Sequence, residues 1–232
     1  MITKKYTAFA ALSLLLSVNA TAKTTQTEAL DGVNAELEQA QKKWQKQFNL
    51  PSLVIAVNVS GSTVFNKATG MADIESNRPA TTDTPYSVGS IAKSMTSLAM
   101  ARLMDQGKLD IHQSIGNYAD YQQTWQPLTS YQLASHTAGI VHYNKARQQR
   151  EFEQVRDHWR PAEAFDVFDH EAVKFTPSTD FQYSSSGYIL LSDVLAKAAN
   201  TPYLQLMRQE VLSPLNMHHT LFDASAANKR NE

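Results

Sequence analysis

The chain contains no cysteine, and this absence excludes several kinds of chemistry. Without thiols there are no disulfide bonds, no thiolate nucleophile and no cysteine ligand for a metal. The seven histidines are not spaced for metal ligation either, because His218 and His219 are adjacent and no His-x-x-x-His pair exists. We therefore expect no metal, no cofactor, and a fold that depends on its apolar core.

A strong excess of charge of either sign is also missing. The formal net charge is −1, from 21 basic and 22 acidic residues. A balance so close to neutral gives no electrostatic footprint for nucleic acid or for an anionic membrane surface. We expect a small molecule or a peptide as the substrate, and composition leaves the oligomeric state open.

The apolar run near the N-terminus is short. It covers residues 8–18, whereas a membrane-spanning helix needs about 20 apolar residues. Two lysines precede it and an Ala-Thr-Ala cleavage site follows it, which is the pattern of an export signal. We predict a signal peptide over 1–22, a single domain over 23–232, no stable membrane span after cleavage, and a periplasmic or secreted location. A membrane-anchored N-terminus is the alternative.

Helices dominate the predicted elements. Apolar residues at three- and four-residue steps predict a helix over 27–48, and a buried strand over 53–60 pairs with a hairpin partner over 63–69. An apolar helix over 90–106 ends at Gly107, and its apolar residues cover most of its circumference, so we expect it to be central and buried. Further predicted elements are short helices and loops over 110–169, an extended segment over 181–183, and helices over 187–199 and 202–211.

The predicted strands are too few for a stable sheet. An isolated hairpin is marginal and leaves its edges exposed. No further strand is evident after Tyr183. We therefore expect an incomplete sheet interrupted by a helical subdomain.

One short motif carries potential chemistry. Ser90 precedes Lys93 by three residues at the start of the predicted helix, so both side chains lie on one face about one turn apart. A Ser-Lys nucleophile pair requires this arrangement. The alternative interpretation is an N-cap serine followed by a solvated lysine.

Four segments in order give this motif a context. They are YSVGSIAK (86–93), GKLD (107–110), LASHTAGI (133–140) and FQYSSSGY (181–188). Together they resemble the serine β-lactamase and penicillin-binding superfamily, in particular class C β-lactamases, their DD-peptidase relatives and the mitochondrial β-lactamase-like serine protease. The resemblance runs over about 50–222 and implies an α/β (α+β) fold, in which an antiparallel sheet carries a large helical subdomain at about 88–200.

The resemblance also implies roles for individual residues. Ser90 would be the acylated nucleophile, and its backbone N–H would be one oxyanion-hole donor. Lys93 would help to take the Ser90 proton. Tyr183 matches the tyrosine of the family's Tyr-x-Asn motif, which shuttles a proton between the serine and the leaving group; otherwise Tyr183 is a core aromatic before a turn.

The chain departs from the family pattern beside this tyrosine. Ser185 stands where most members have Asn, so its contact with a substrate amide would reach less far. His142 is expected near the cleft as a second substrate-binding residue, with a structural or surface role as the alternative. Ser135, His136 and Thr137 are expected to cap and pin a loop under the site.

The family's third motif, Lys/His-Thr/Ser-Gly on an inner strand, does not follow Asn200. Two functions therefore stay open. One is an exported serine hydrolase that acts through a Ser90 acyl-enzyme on a peptide, a cell-wall peptide, an ester or a β-lactam. The other is a truncated, inactive relative that at most binds ligand, and the coding sequence past Glu232 would separate them.

Overall fold

A computed structural model describes residues 23–142, 164–165, 168 and 172–222, with side chains from residue 32 onward. The predicted signal peptide lies outside the described residues, as does much of the predicted loop region before residue 172. The chain divides into two compact units, one within Met1–Thr84 and the other within Pro85–Glu232.

In the part of the chain that the structure describes, we find no helix both long enough and apolar enough to cross a membrane.

The first unit is a helix and a small antiparallel sheet. Its elements are α1 (Lys23–Gln47), β1 (Ser52–Val59), β2 (Ser62–Asp73) and β3 (Arg78–Pro79), with strand order β1-β2-β3. The predicted helix and hairpin are confirmed, and the two-residue β3 is an addition to the prediction. Strand β1 is half-buried rather than buried as predicted, because its first four residues are only partly covered and three of its last four are exposed.

A buried glutamine joins the helix of this unit to its hairpin. Gln41 of α1 is only 1 % exposed, and its Nε2 donates hydrogen bonds of 2.8 Å to the carbonyl oxygens of Leu53 in β1 and Lys67 in β2. A buried amide must find partners, and here both amide protons do. One side chain therefore fixes α1 against two neighbouring strands.

The second unit is helical in its described part. Its elements are a 3-10 turn (Gly89–Ile91), α2 (Ala92–Asp105), a 3-10 turn (Ile115–Asn117), α3 (Ser130–Ala134), α4 (Ser185–Ala198), α5 (Tyr203–Met207) and a π turn (Arg208–Leu212). Helix α4 is the centre of the core, with Leu190, Leu191, Val194 and Leu195 all fully buried. Its predicted start at residue 187 is two residues late.

The expected burial of α2 is wrong. Only Thr96, Ala99 and Leu103 of this helix are buried, whereas Leu98 is 39 % exposed and Ile91, just before the helix, is 64 % exposed. The three buried positions follow three- and four-residue steps, so a single face of α2 packs on the core. The helix ends as predicted, since Gly107 follows it with φ +67°.

Three side-chain hydrogen bonds join α2 and its C-cap residue to the elements after α4. Glu210 accepts hydrogen bonds from Arg102 Nε at 2.8 Å and from Gln106 Nε2 at 2.9 Å. Thr96 Oγ1 lies 2.7 Å from the hydroxyl of Tyr203, which starts α5. These contacts fix the helix that carries Lys93.

Candidate active site

Ser90 lies in the 3-10 turn that leads into α2, and its side chain is exposed. The N-cap positions of the turn and of α2 are Val88 and Ile91, and neither makes a side-chain cap. The N-cap interpretation of Ser90 is therefore wrong. Lys93 is one turn further on, and its Nζ donates to Ser90 Oγ over 3.3 Å.

Two side chains from a distant segment complete a four-residue cluster. The hydroxyl of Tyr183 lies 2.7 Å from Ser90 Oγ, and Lys93 Nζ donates to Ser185 Oγ at 3.0 Å. Tyr183 is 38 % exposed, which excludes its interpretation as a core aromatic. The structure thus brings together four of the five predicted site residues through direct hydrogen bonds.

The cluster changes the acidity of the tyrosine. Hydrogen bonding to Lys93, and then to Ser90, lowers the pKa of Tyr183 below its usual range. Lys93 Nζ also lies 4.9 Å from the centre of the Tyr183 ring. A cation beside the phenol favours the phenolate, so Tyr183 is suited to accept a proton.

The ring of a second tyrosine also lies close to the lysine. Lys93 Nζ lies 5.5 Å from the centre of the Tyr188 ring. The Tyr188 hydroxyl donates to the carbonyl of Ala134 at 3.0 Å and lies 3.1 Å from Ser97 Oγ. The ring therefore connects α4, α3 and α2 directly behind the cluster.

His136 packs beneath the tyrosine. Its backbone is in the left-handed region with φ +62°, and its carbonyl accepts the Gln182 amide at 3.0 Å. Its Nδ1 accepts the backbone N–H of Ser184 at 3.1 Å, and its ring lies 4.5 Å from the Tyr183 ring. His136 therefore holds the segment that carries Tyr183 in place, through hydrogen bonds to the backbone of that segment, as expected for this loop.

His142 lies on another side of the same tyrosine. Its Nδ1 accepts the backbone N–H of Ser185 at 3.1 Å, and its ring meets the Tyr183 ring edge-on at 5.4 Å. This contact gives His142 a structural bond beside the site. Its contact with a substrate stays a prediction.

Both imidazoles have a pKa below the ordinary histidine value. Burial is the main cause for each, and the positive charge of Lys93 is the next. For His136, the neighbouring His142 adds to the effect. Both rings are therefore favoured in their neutral form.

Ser184 begins the helix that carries Ser185. Its Oγ accepts the Gly187 amide at 2.9 Å and donates to the Val141 carbonyl at 2.9 Å. Ser184 is therefore the N-cap of α4 and also ties this helix to the loop before His142. Sequence reasoning missed this residue, although a serine just before an apolar helical pattern is an ordinary helix-start signal.

A separate cavity of about 420 Å³ is lined by Tyr121, Trp125, Phe165, Asp193 and others. None of the four clustered residues lines it. Covalent catalysis by a serine requires a base beside the nucleophile. We therefore take the hydrogen-bonded cluster, and not this cavity, as the candidate active site.

Comparison with known proteins agrees with the cluster. Residues 34–232 match the family model described as Beta-lactamase. The chain is 24% identical to the serine beta-lactamase-like protein LACTB of Homo sapiens, over 74% of the chain and 43% of that protein. It is 27% identical to a beta-lactamase of Providencia stuartii, over 91% of the chain and 51% of that protein.

A solved structure is also similar. The octameric penicillin-binding protein homologue from Pyrococcus abyssi superposes with a TM-score of 0.72 at 26% identity, covering 84% of this chain and 46% of that one. The chain thus spans about half the length of the relatives that it matches, and it shares the antiparallel-sheet and helical fold expected from the sequence.

Proposed function

The chain belongs to the beta-lactamase family, and from its Ser90 cluster we propose a serine hydrolase that acts through an acyl-enzyme. The observation that carries the proposal is the position of Ser90 Oγ, 2.7 Å from the Tyr183 hydroxyl and 3.3 Å from Lys93 Nζ. A serine is a weak nucleophile until an adjacent base takes its proton, and this cluster supplies two candidate groups.

The proposed acylation begins with attack on an amide or ester. Ser90 Oγ forms a bond to the carbonyl carbon while its proton passes to the ionised Tyr183 oxygen. The C–N or C–O bond of the substrate then breaks, and Tyr183 returns the proton to the leaving group. Lys93 stays hydrogen-bonded to the reacting oxygen and stabilises the negative charge on the phenolate.

Deacylation reverses the proton path. A water molecule attacks the acyl carbon, Tyr183 accepts its proton, and the proton then passes to Ser90 Oγ as the ester bond breaks. The Ser90 amide lies in the first turn of a helix, where N–H groups have no partner within the helix. It is available as one donor to the oxyanion, and a donor of this kind contributes roughly 10² to 10³ in rate.

The proposed substrates share an acyl group on nitrogen or oxygen. Peptides, cell-wall peptides, esters and β-lactams all meet this requirement, and the same three side chains serve each of them. We also propose export to the periplasm or beyond, on the basis of the N-terminal segment alone. Mass measurement of the N-terminus of the protein isolated from cell fractions tests this location.

Covalent labelling tests the proposed nucleophile. The full chain is incubated with a fluorophosphonate and, separately, with a fluorescent penicillin, and its intact mass is measured. We expect one adduct that Ser90→Ala abolishes and Ser87→Ala, a nearby exposed serine, retains. A Ser90→Ala protein that is still labelled would show that another residue is the nucleophile. A folded wild-type chain that neither probe labels would contradict the hydrolase in favour of an inactive ligand-binding relative.

A further inference from the structure

Two histidines bond to consecutive backbone amides in the segment that carries the tyrosine. His136 Nδ1 accepts the N–H of Ser184, and His142 Nδ1 accepts the N–H of Ser185, each at 3.1 Å. A ring nitrogen that accepts a hydrogen bond has no proton, so both imidazoles are neutral with the proton on Nε2. The two hydrogen bonds therefore require the same tautomer in His136 and in His142.

We propose that His136 and His142 are positioning residues that hold Tyr183 and Ser185 against Ser90 and Lys93 only while both imidazoles are neutral. The effect on rate rests on the proposed hydrolase function. The tautomers of the two histidines and their hydrogen bonds to the backbone do not depend on that function, and both can be measured without any substrate.

The geometry gives the reason for the dependence on protonation. A protonated Nδ1 would point its N–H at the N–H of Ser184 or Ser185, so two donors would face each other and the bond would break. The Tyr183 hydroxyl and Ser185 Oγ belong to the segment that these bonds fix. Displacement of reacting groups by about 1 Å can cost roughly 10²-fold in rate.

The surroundings of the two rings favour the neutral form. His136 faces Lys93, His142 and the rings of Tyr183 and Tyr188; His142 faces Lys93 and Tyr183. In the described part of the chain, the charged group that acts on both is the Lys93 cation. A positive charge on His142 also lowers the pKa of His136, so we expect both rings to take up protons only below about 6.5, the ordinary pKa of histidine.

Two substitutions of His142 distinguish a role in positioning the tyrosine segment from a role in packing alone. His142→Asn keeps a hydrogen-bond acceptor near the Nδ1 position but does not titrate, whereas His142→Leu removes the acceptor. The rate of fluorophosphonate labelling is measured from about pH 5 to about pH 8, the range of histidine titration. His112→Asn, which changes an exposed histidine outside the site, is the control.

The wild-type labelling rate is expected to fall at acid pH more steeply than a single proton allows. In His142→Asn the decline becomes shallower by one proton and most of the rate at pH 8 is kept, while His142→Leu loses roughly 10²-fold even at pH 8. His112→Asn keeps the wild-type profile. A His142→Asn profile equal to wild type, or a His142→Leu rate equal to wild type, overturns the proposal.

A spectroscopic measurement decides the proposal even if Ser90 is never labelled. In the Ser90→Ala protein, the ring ¹⁵N shifts of His136 and His142 should show protonated Nε2 and unprotonated Nδ1 at neutral pH. The amide signals of Ser184 and Ser185 should then shift together as the rings titrate. A proton on either Nδ1 at neutral pH, or amide signals that ignore the titration, overturns the positioning role, whereas absent labelling overturns only the hydrolase.

Discussion

At the scale of single residues, the phenolic oxygen of Tyr183 is the atom that the proposed chemistry uses most. It is hydrogen-bonded to Ser90 Oγ, and the neighbouring Lys93 lowers its pKa. The ring itself is held separately, by contacts with His136 and His142. Removal of the oxygen should therefore affect chemistry without disturbing the packing.

We predict that Tyr183→Phe lowers the rate of Ser90 acylation by about 10² to 10⁴-fold, because a positioned general base contributes roughly that factor. The measurement is the rate of fluorophosphonate labelling, followed by intact mass, with thermal unfolding as the check on folding. Tyr131→Phe, which removes an exposed phenol elsewhere, should label like wild type. Equal labelling rates for Tyr183→Phe and wild type would show that another group takes the proton.

Gly139 is a second residue at which one change has a defined result. Its φ is +74°, and a Cβ there would lie 2.6 Å from Val173 Cγ1 and 2.9 Å from the Phe175 carbonyl oxygen. Gly107 has a similar φ of +67° but has nothing within 4 Å of its Cβ position. Alanine substitutions at the two glycines therefore separate the energetic cost of backbone strain from the cost of a steric clash.

We predict that Gly107→Ala destabilises the chain by about 1 to 2 kcal/mol from backbone strain alone. Gly139→Ala should cost about 1 to 3 kcal/mol more, because overpacking adds to the same strain. Urea unfolding of both variants beside wild type measures the difference. If the two substitutions lower the free energy of unfolding equally, Val173 and Phe175 can move far enough to accommodate the added methyl group.

At the scale of elements, α2 is joined to the π turn by an ion pair with a definite pH dependence. The hydrogen bond from Arg102 is the main cause that lowers the pKa of Glu210 below its ordinary value of 4.5. A carboxyl whose pKa is lowered by folding stabilises the fold above its unfolded pKa, and this contribution disappears as pH falls through the folded pKa.

We predict that Glu210→Gln lowers the free energy of unfolding by about 1 kcal/mol or less at pH 7, since the Arg102 partner is partly exposed to solvent. The difference from wild type should vanish once the medium is acidic enough to protonate the wild-type carboxyl. Urea unfolding over a pH series measures it, with the exposed Glu75→Gln as the matched control. A difference in stability that persists at the lowest pH would show that Glu210 stabilises the fold through packing rather than through its negative charge.

The elements also show which features a sequence can reveal. The helix predicted over 27–48 is α1, and the one predicted over 187–199 is α4, because apolar spacing reports helices directly. The burial of α2 was not predictable, since an all-round apolar pattern does not say which face finds a partner. The bonds of His136 and His142 were not predictable either, because their partners are backbone amides 48 and 43 residues away.

At the scale of the whole molecule, the two units differ in how much core they contain. The buried apolar cluster of the described residues lies in the second unit around α4, whereas Phe65 is the one buried apolar side chain of β1 and β2. Local opening is easiest where few apolar contacts must be broken. Each unit should therefore open with its own free energy.

We predict that amide hydrogen exchange is slowest in the buried half of α4 and clearly faster in β1 and β2. Exchange followed by mass spectrometry of peptides measures both segments in one experiment on the full chain. Amides of α1 next to the buried Gln41 should fall between these limits, because its two hydrogen bonds hold α1 to the hairpin. Protection of β1 and β2 equal to that of α4 would mean that the chain opens only as one cooperative body.

The hydrogen bond between Ser90 and Tyr183 joins residues 93 positions apart in the chain. Closing a loop of that length costs about 4 kcal/mol of chain entropy, which must be offset before the contact forms. The hydroxyl of Ser90 is therefore an ordinary alcohol in a nascent or partly folded chain, and it gains reactivity only when this long loop closes. Labelling of Ser90 during refolding would thus report when this long-range contact forms, at the level of a single atom.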